Sequence, residues 1–98
     1  MLKVMIEWQA KPGKEHALEG MVRDLRSKAM QQPGYISGET LVKADDPTTY
    51  LVVSIWTRLE AWKNWEHSQG RQEIVQLIAP NVSEESSIQA FNYVFEEE

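Results

Sequence analysis

The chain opens on a strict alternation. Leu2, Val4, Ile6 and Trp8 interleave with Lys3, Met5, Glu7 and Gln9, which predicts a strand with one strongly apolar face. Lys11-Pro12-Gly13 reads as a turn. From Lys14 the period changes. Leu18, Val22, Leu25 and Ala29 fall on one stripe with Met21 beside it, and charged residues fill the remaining faces, so a helix is expected that Pro33-Gly34 ends. Tyr35 to Lys43 reads as a second strand, weakened by Gly38, and residues 44–48 as the hairpin connection that follows it.

The stretch from Tyr50 to His67 reads as a strand running directly into a helix. Leu51, Val53 and Ile55 share one strand face, while Tyr50, Val52, Ser54 and Trp56 share the other. Thr57 with Glu60 three residues on has the form of a capping box. Leu59, Trp62 and Trp65 then recur at helical spacing. Because both strand faces are partly apolar, both are expected to be covered. The helix covers one of them, and the face carrying Trp56 is expected to need a second cover. Ser68-Gln69-Gly70 interrupts the helical pattern. A further helix is expected over Arg71 to Ala79, with Ile74, Leu77 and Ile78 on one side and Pro80 as its stop. Ser86 to Phe95 reads as a fourth strand, with Ile88, Ala90 and Val94 opposite Phe91, Tyr93 and Phe95.

The order is β-α-β-β-α-β, so the fold class is α+β, a ferredoxin-like protomer with an antiparallel four-stranded sheet. Helices on one side leave the other sheet face bare, and several strands carry bulky residues there. A second copy of the same sheet is the expected cover, which makes the chain a homodimer joined through its sheet faces.

Composition narrows the function classes. At 98 residues and 42% hydrophobic content, one domain spanning 1–98 is expected. The formal charge of -5 and the pI near 5.0 argue against nucleic acid, which selects for a basic stripe. No apolar run is long enough for a membrane span, and residues 1–9 do not read as a signal peptide. Without cysteine there is neither a disulfide framework nor a thiolate metal site, which fits a cytoplasmic protein. The terminal Glu96-Glu97-Glu98 reads as a solvated tail.

Several short motifs then converge. Val4 to Trp8 is followed by Lys11-Pro12-Gly13-Lys14-Glu15. Gln32-Pro33-Gly34-Tyr35 precedes the second strand. Ile55-Trp56-Thr57 leads into Glu60-Ala61-Trp62, Trp65 and Ser68. Together these resemble the antibiotic biosynthesis monooxygenase (ABM) domain family over essentially the whole chain. The resemblance implies a dimeric α/β barrel with a pocket between each protomer's sheet and its helices. Some members of that family oxidise polycyclic aromatic phenols with O2 and no cofactor, and others bind and degrade haem. The haem branch shares the strand-three tryptophan, here Trp56. It also calls for an asparagine where this chain has Ile6 and for a histidine near Val75, and neither is present.

Cofactor-free oxygenation draws its electrons from the substrate, as a phenolate or enolate. The site must favour and hold that anion and keep water from the reactive species. The expected substrate is therefore a hydrophobic aromatic or quinone-like small molecule. Trp56, Tyr50, Ser54, Trp62 and Trp65 are the expected substrate-binding residues, with core or dimer packing as the structural alternative for each tryptophan. Two residues are candidate bases. His67 ends the tryptophan helix, where the helix dipole alone explains a cationic imidazole. Glu7 interrupts an apolar strand, and facing inward it would be a carboxyl of raised pKa. His16, among charged neighbours, is expected to face solvent. Asn64 and Asn92 are further polar candidates. No residue pattern points to a metal. The alternative function is a non-catalytic barrel that binds a small ligand.

Overall fold

A computed structural model describes residues 1–95; the acidic tail at 96–98 lies outside them. The elements are β1 (Leu2–Gln9), α1 (Glu15–Ala29), β2 (Tyr35–Lys43), β3 (Asp46–Trp56), α2 (Leu59–Glu66), α3 (Gln69–Ile78), a 3-10 turn (Ala79–Asn81) and β4 (Ser87–Asn92). The four strands form one antiparallel sheet in the order β2-β3-β1-β4, the α+β ferredoxin-like arrangement. Among the described residues no helix is long and apolar enough to cross a membrane.

The helices lie on one sheet face, and the register between β1 and β3 decides which residues they cover. Leu2 stands opposite Trp56, Val4 opposite Ser54, Ile6 opposite Val52 and Trp8 opposite Tyr50. Directly opposed residues of antiparallel strands share a face. The whole β1 stripe is buried, with Leu2, Val4, Ile6 and Trp8 among the core residues. Trp56 is therefore on the helix-covered side, fully buried, and not on the bare face where the alternation had placed it. The cause is that β3 is apolar on both sides. Its own pattern cannot say which side meets the helices, and only its partner strand can.

The bare face carries Met5 on β1, Leu51, Val53 and Ile55 on β3, Leu41 on β2 and Phe91 on β4. Leu41 and Phe91 are exposed. Glu7 belongs to this face, opposite Leu51 and Ser87, and is exposed to solvent.

α1 buries the expected stripe of Leu18, Val22, Leu25 and Ala29 and packs against α3 as well as the sheet. Other boundaries differ from expectation. β3 begins at Asp46, because that carboxylate ties down the start of the strand. Its Oδ1 accepts from the Thr48 N–H (3.1 Å) and Thr48 Oγ1 (2.6 Å), and its Oδ2 accepts from Thr49 Oγ1 (2.7 Å). These bonds hold the Asp46 carboxyl below its ordinary value of 3.8. The N-cap of α2 is Arg58, in extended backbone, and no side chain caps that helix; the Thr57–Glu60 capping box does not form. Thr57 has another use, since its N–H donates to Gly34 O at 2.8 Å. α3 starts earlier than expected, at Gln69, because Ser68 caps it: Ser68 Oγ accepts from the Arg71 N–H at 3.2 Å. β4 is shorter than expected and ends at Asn92.

Gly34 sits where the sheet and α2 meet. Its φ is +90°, and a Cβ there would collide with Ala61 Cβ and lie 2.9 Å from Thr57 Oγ1. Only glycine permits both that backbone and that approach.

Candidate active site

Three elements bring an aromatic wall together. The Trp56 ring, at the end of β3, meets Tyr35 of β2 edge-on at 5.3 Å between centroids and an interplanar angle of 86°. On its other side it meets Trp62 of α2 at 5.9 Å and 62°. Its indole N–H donates to Ser54 Oγ at 2.9 Å, so Trp56 has no donor left for a ligand. Trp62 and Trp65 are buried, because helical spacing points both of them from α2 toward the sheet.

Against this wall lies a charge that the sequence reading passed over. Arg71, on α3, is 6% exposed. Its guanidinium stands over the Trp62 ring, with Cζ 5.4 Å from the centroid. Nε has no hydrogen-bond partner, and among the described residues no carboxylate forms a salt bridge with the side chain. Burial pulls the guanidinium pKa below its ordinary value, against the opposing field of Glu66. Glu66 is engaged elsewhere, 3.1 Å from Lys63 Nζ. An arginine keeps its proton at neutral pH even here, so the site holds a desolvated cation without a counter-ion. Buried charges in proteins are ordinarily paired, and among the described residues no carboxylate pairs with this one. A sequence signal did exist. Arg71 shares its helical stripe with Ile74 and Ile78, so a charge stands at a position that the period assigns to the core.

Arg71 borders two spaces. One is a narrow cavity of ≈ 30 Å³ between sheet and helices, lined by Ile6, Leu25, Ser54, Trp56, Trp62 and Trp65 among others. That is room for roughly one or two waters, not for a ring. The other is a groove of ≈ 550 Å³ between α3 and residues 82–86, lined by Trp8, Val75, Ala79, Val82 and Ile88, with Glu84 and Glu85 at its exposed rim. Val75 and Ile6, where the haem-degrading pattern calls for a histidine and an asparagine, line the groove and the cavity with hydrocarbon. Among the described residues no group of three His, Asp or Glu side chains is placed to hold a metal ion.

The expected site residues thus separate. Trp56, Ser54, Trp62 and Trp65 surround the narrow cavity beside Arg71. Tyr50 lines a different depression of ≈ 250 Å³ with Glu19, Arg23 and Arg26, which neither Arg71 nor any tryptophan borders. His67 follows α2 with its side chain 69% exposed, its Nε2 3.9 Å from Glu66, and it borders neither the cavity nor the groove. Glu7, on the bare sheet face, also stands apart from both. His16, Asn64 and Asn92 are exposed.

Tyr50 donates its hydroxyl to Glu19 Oε2 at 2.9 Å. Burial first, then the Glu19 hydrogen bond and charge, push its pKa from 10.0 to about 12. A raised pKa means the folded state holds the proton more tightly. The contribution is therefore fully present below pH 10 and is lost as pH rises toward 12. A phenolate absorbance titration is expected to resolve one tyrosine ionising near pH 12, and Tyr50→Phe is expected to remove that step.

The sequence and the fold both find their counterpart in one family. The antibiotic biosynthesis monooxygenase family model matches residues 1–77, and the chain belongs to that family. The fold agrees with solved structures. A crystal structure of an antibiotic biosynthesis monooxygenase superposes with a TM-score of 0.86 at 21% identity, covering 96% of this chain and 99% of that one. SnoaB, a cofactor-independent oxygenase from Streptomyces nogalater, superposes with a TM-score of 0.84 at 15% identity, covering 94% of this chain and 91% of its own. PA3566 from Pseudomonas aeruginosa gives 0.84 at 15% identity, covering 96% and 94%. At these identities the superpositions speak for the fold. No curated protein matches the chain in sequence.

Proposed function

We propose that the chain is a cofactor-independent monooxygenase that oxidises a hydrophobic, acidic aromatic or quinone-like small molecule with O2. The observation that carries this reading is the buried, unpaired Arg71 guanidinium beside an aromatic wall, at the end of a groove large enough for a small ligand. Family membership supplies the reaction class. A cation within a few ångströms lowers the pKa of a phenol or enol and holds the anion that forms. That anion is the electron donor. For an activated methylene, one oxygen atom of O2 stays on carbon as the new carbonyl and the other leaves as water. The four electrons come from the two C–H bonds, and the two protons end on the departing oxygen to make that water. The Trp8 indole and the hydrocarbon of Val75, Ala79, Val82 and Ile88 shield the reacting carbon from bulk water on the buried side of the groove.

Incubation with a panel of anthrones, quinols and catechols under an oxygen electrode tests the reading. One O2 consumed per anthrone oxidised is the expected result, and no uptake with any member of the panel overturns it. A second reading, a ligand-binding barrel without chemistry, is favoured by one observation. Besides Arg71, the ionisable side chains bordering the groove are Glu84 and Glu85, both exposed at its rim, so no enclosed base faces the ligand. Tight binding of these aromatics without O2 uptake is the result that selects it.

The apolar bare face supports a homodimer in which two sheets press together as a barrel. Val53→Glu, at the centre of that face, is expected to convert the sedimenting species from dimer to monomer at micromolar concentration. The lack of cysteine fits a cytoplasmic setting.

A further inference from the structure

We infer that the groove between α3 and residues 82–86 recognises the carboxylate of an aromatic acid, through the Nε–H of Arg71 and the Nε1–H of Trp8. The inference rests on the reading of this groove as the substrate site, and it names the group by which the substrate is held.

Two buried nitrogens among the described residues have no hydrogen-bond partner, and they are Trp8 Nε1 and Arg71 Nε. Both side chains border the same groove. They come from different elements, β1 and α3, and are 3% and 6% exposed. An unmade buried hydrogen bond costs about 1–3 kcal/mol, and native structures seldom leave one without a reason. Both nitrogens are closed off from solvent, yet the side chains that carry them border a single open space, and that juxtaposition points to an acceptor that enters it.

The charge selects the kind of acceptor. Water can satisfy an N–H but cannot neutralise a desolvated guanidinium. A carboxylate does both, since its two oxygens offer about four lone-pair positions and can accept from two donors at once. A neutral carbonyl offers one oxygen and no charge. Val75, Ala79, Val82 and Ile88 give the groove a hydrocarbon side that suits fused rings, and Gln76, Ser83 and Ser86 are its neutral polar positions. Glu84 and Glu85 oppose an entering anion, but they are exposed and screened by salt, whereas the Arg71 end is not. Selection for the anion therefore falls to the buried pair.

Anaerobic calorimetric titration with 2-naphthoate and its neutral isostere 2-naphthamide tests this without turnover. The acid is expected to bind at least tenfold more tightly, and Arg71→Met to bring the two affinities together. Trp8→Phe, which keeps one aromatic ring and deletes the pyrrole N–H, is expected to weaken naphthoate binding about tenfold. The Trp8 indole N–H resonance of the unaltered protein is expected to move downfield with naphthoate, a response that a purely structural tryptophan would not give. Equal affinities for acid and amide, or an unmoved Trp8 resonance, overturn the inference. Oxidation of neutral anthrones without naphthoate binding would overturn it alone and leave the oxygenase reading standing. Naphthoate binding without O2 uptake would do the reverse.

Discussion

Arg71→Met is expected to lower kcat/KM for O2-dependent oxidation by about two to three orders of magnitude and to leave the chain at least as thermostable as before. The two effects have opposite signs because one feature causes both. Arg71 is 6% exposed and has no carboxylate partner among the described residues, so folding bears its desolvation without a compensating ion pair there. Replacing a buried charge by a hydrophobic side chain of similar volume is commonly neutral or stabilising, and methionine follows the arginine stem and adapts to irregular packing. Removing a preorganised group aimed at developing negative charge typically costs ~10²–10³ in rate. Oxygen uptake and a thermal melt on the same preparation check both signs. Retained activity contradicts the catalytic assignment, and a melting point lowered by many degrees contradicts the claim that Arg71 is a burden on the fold.

Trp56→Ala has the largest expected effect on stability. The side chain is fully buried, makes edge contacts with Tyr35 and Trp62, and donates its N–H to Ser54. Truncating a buried tryptophan costs about 3–5 kcal/mol, and here Ser54 Oγ also loses the donor that satisfies it. A chain of this size has a total stability of about 5–15 kcal/mol. At roughly 4–8 °C per kcal/mol, the melting point is expected to fall by at least 12 °C. Trp56→Phe keeps most of the ring contact and is expected to fall by less than half as much. Denaturant titration of the two variants provides the comparison, and equal losses would show that the polar end, not the ring, carries the effect.

Much of the fold was legible because single elements carry one-sided patterns. β1 alternates strictly, and its apolar set is the buried set. α1 shows one stripe, and that stripe is buried. The β-α-β-β-α-β order follows once each segment's period is known. What failed to show is what depends on pairing between elements. β3 is apolar on both faces, so the side on which Trp56 lies is set by its register against β1. The capping box at Thr57 fits by spacing, yet the Thr57 N–H is drawn to Gly34 by a tertiary contact.

The candidate site was the least visible part. The indoles are conspicuous in sequence and do surround the cavity, but the unpaired groups are Arg71 and Trp8. Trp8 reads as core and is core; its unsatisfied N–H appears only once its neighbours are in place. Arg71 left a trace, a charge on an apolar stripe, that a charge-by-face reading of α3 would have found. Tyr50 and Ser54 share a strand face, but four residues along β3 carry Tyr50 toward Glu19 and a different depression.

The most direct test is a crystal structure of the protein soaked with an aromatic acid. The ring is expected in the groove between α3 and residues 82–86, with a carboxylate oxygen within about 3 Å of Arg71 Nε. A ligand seated on the bare sheet face or beside Tyr50, with Arg71 still unpaired, contradicts it.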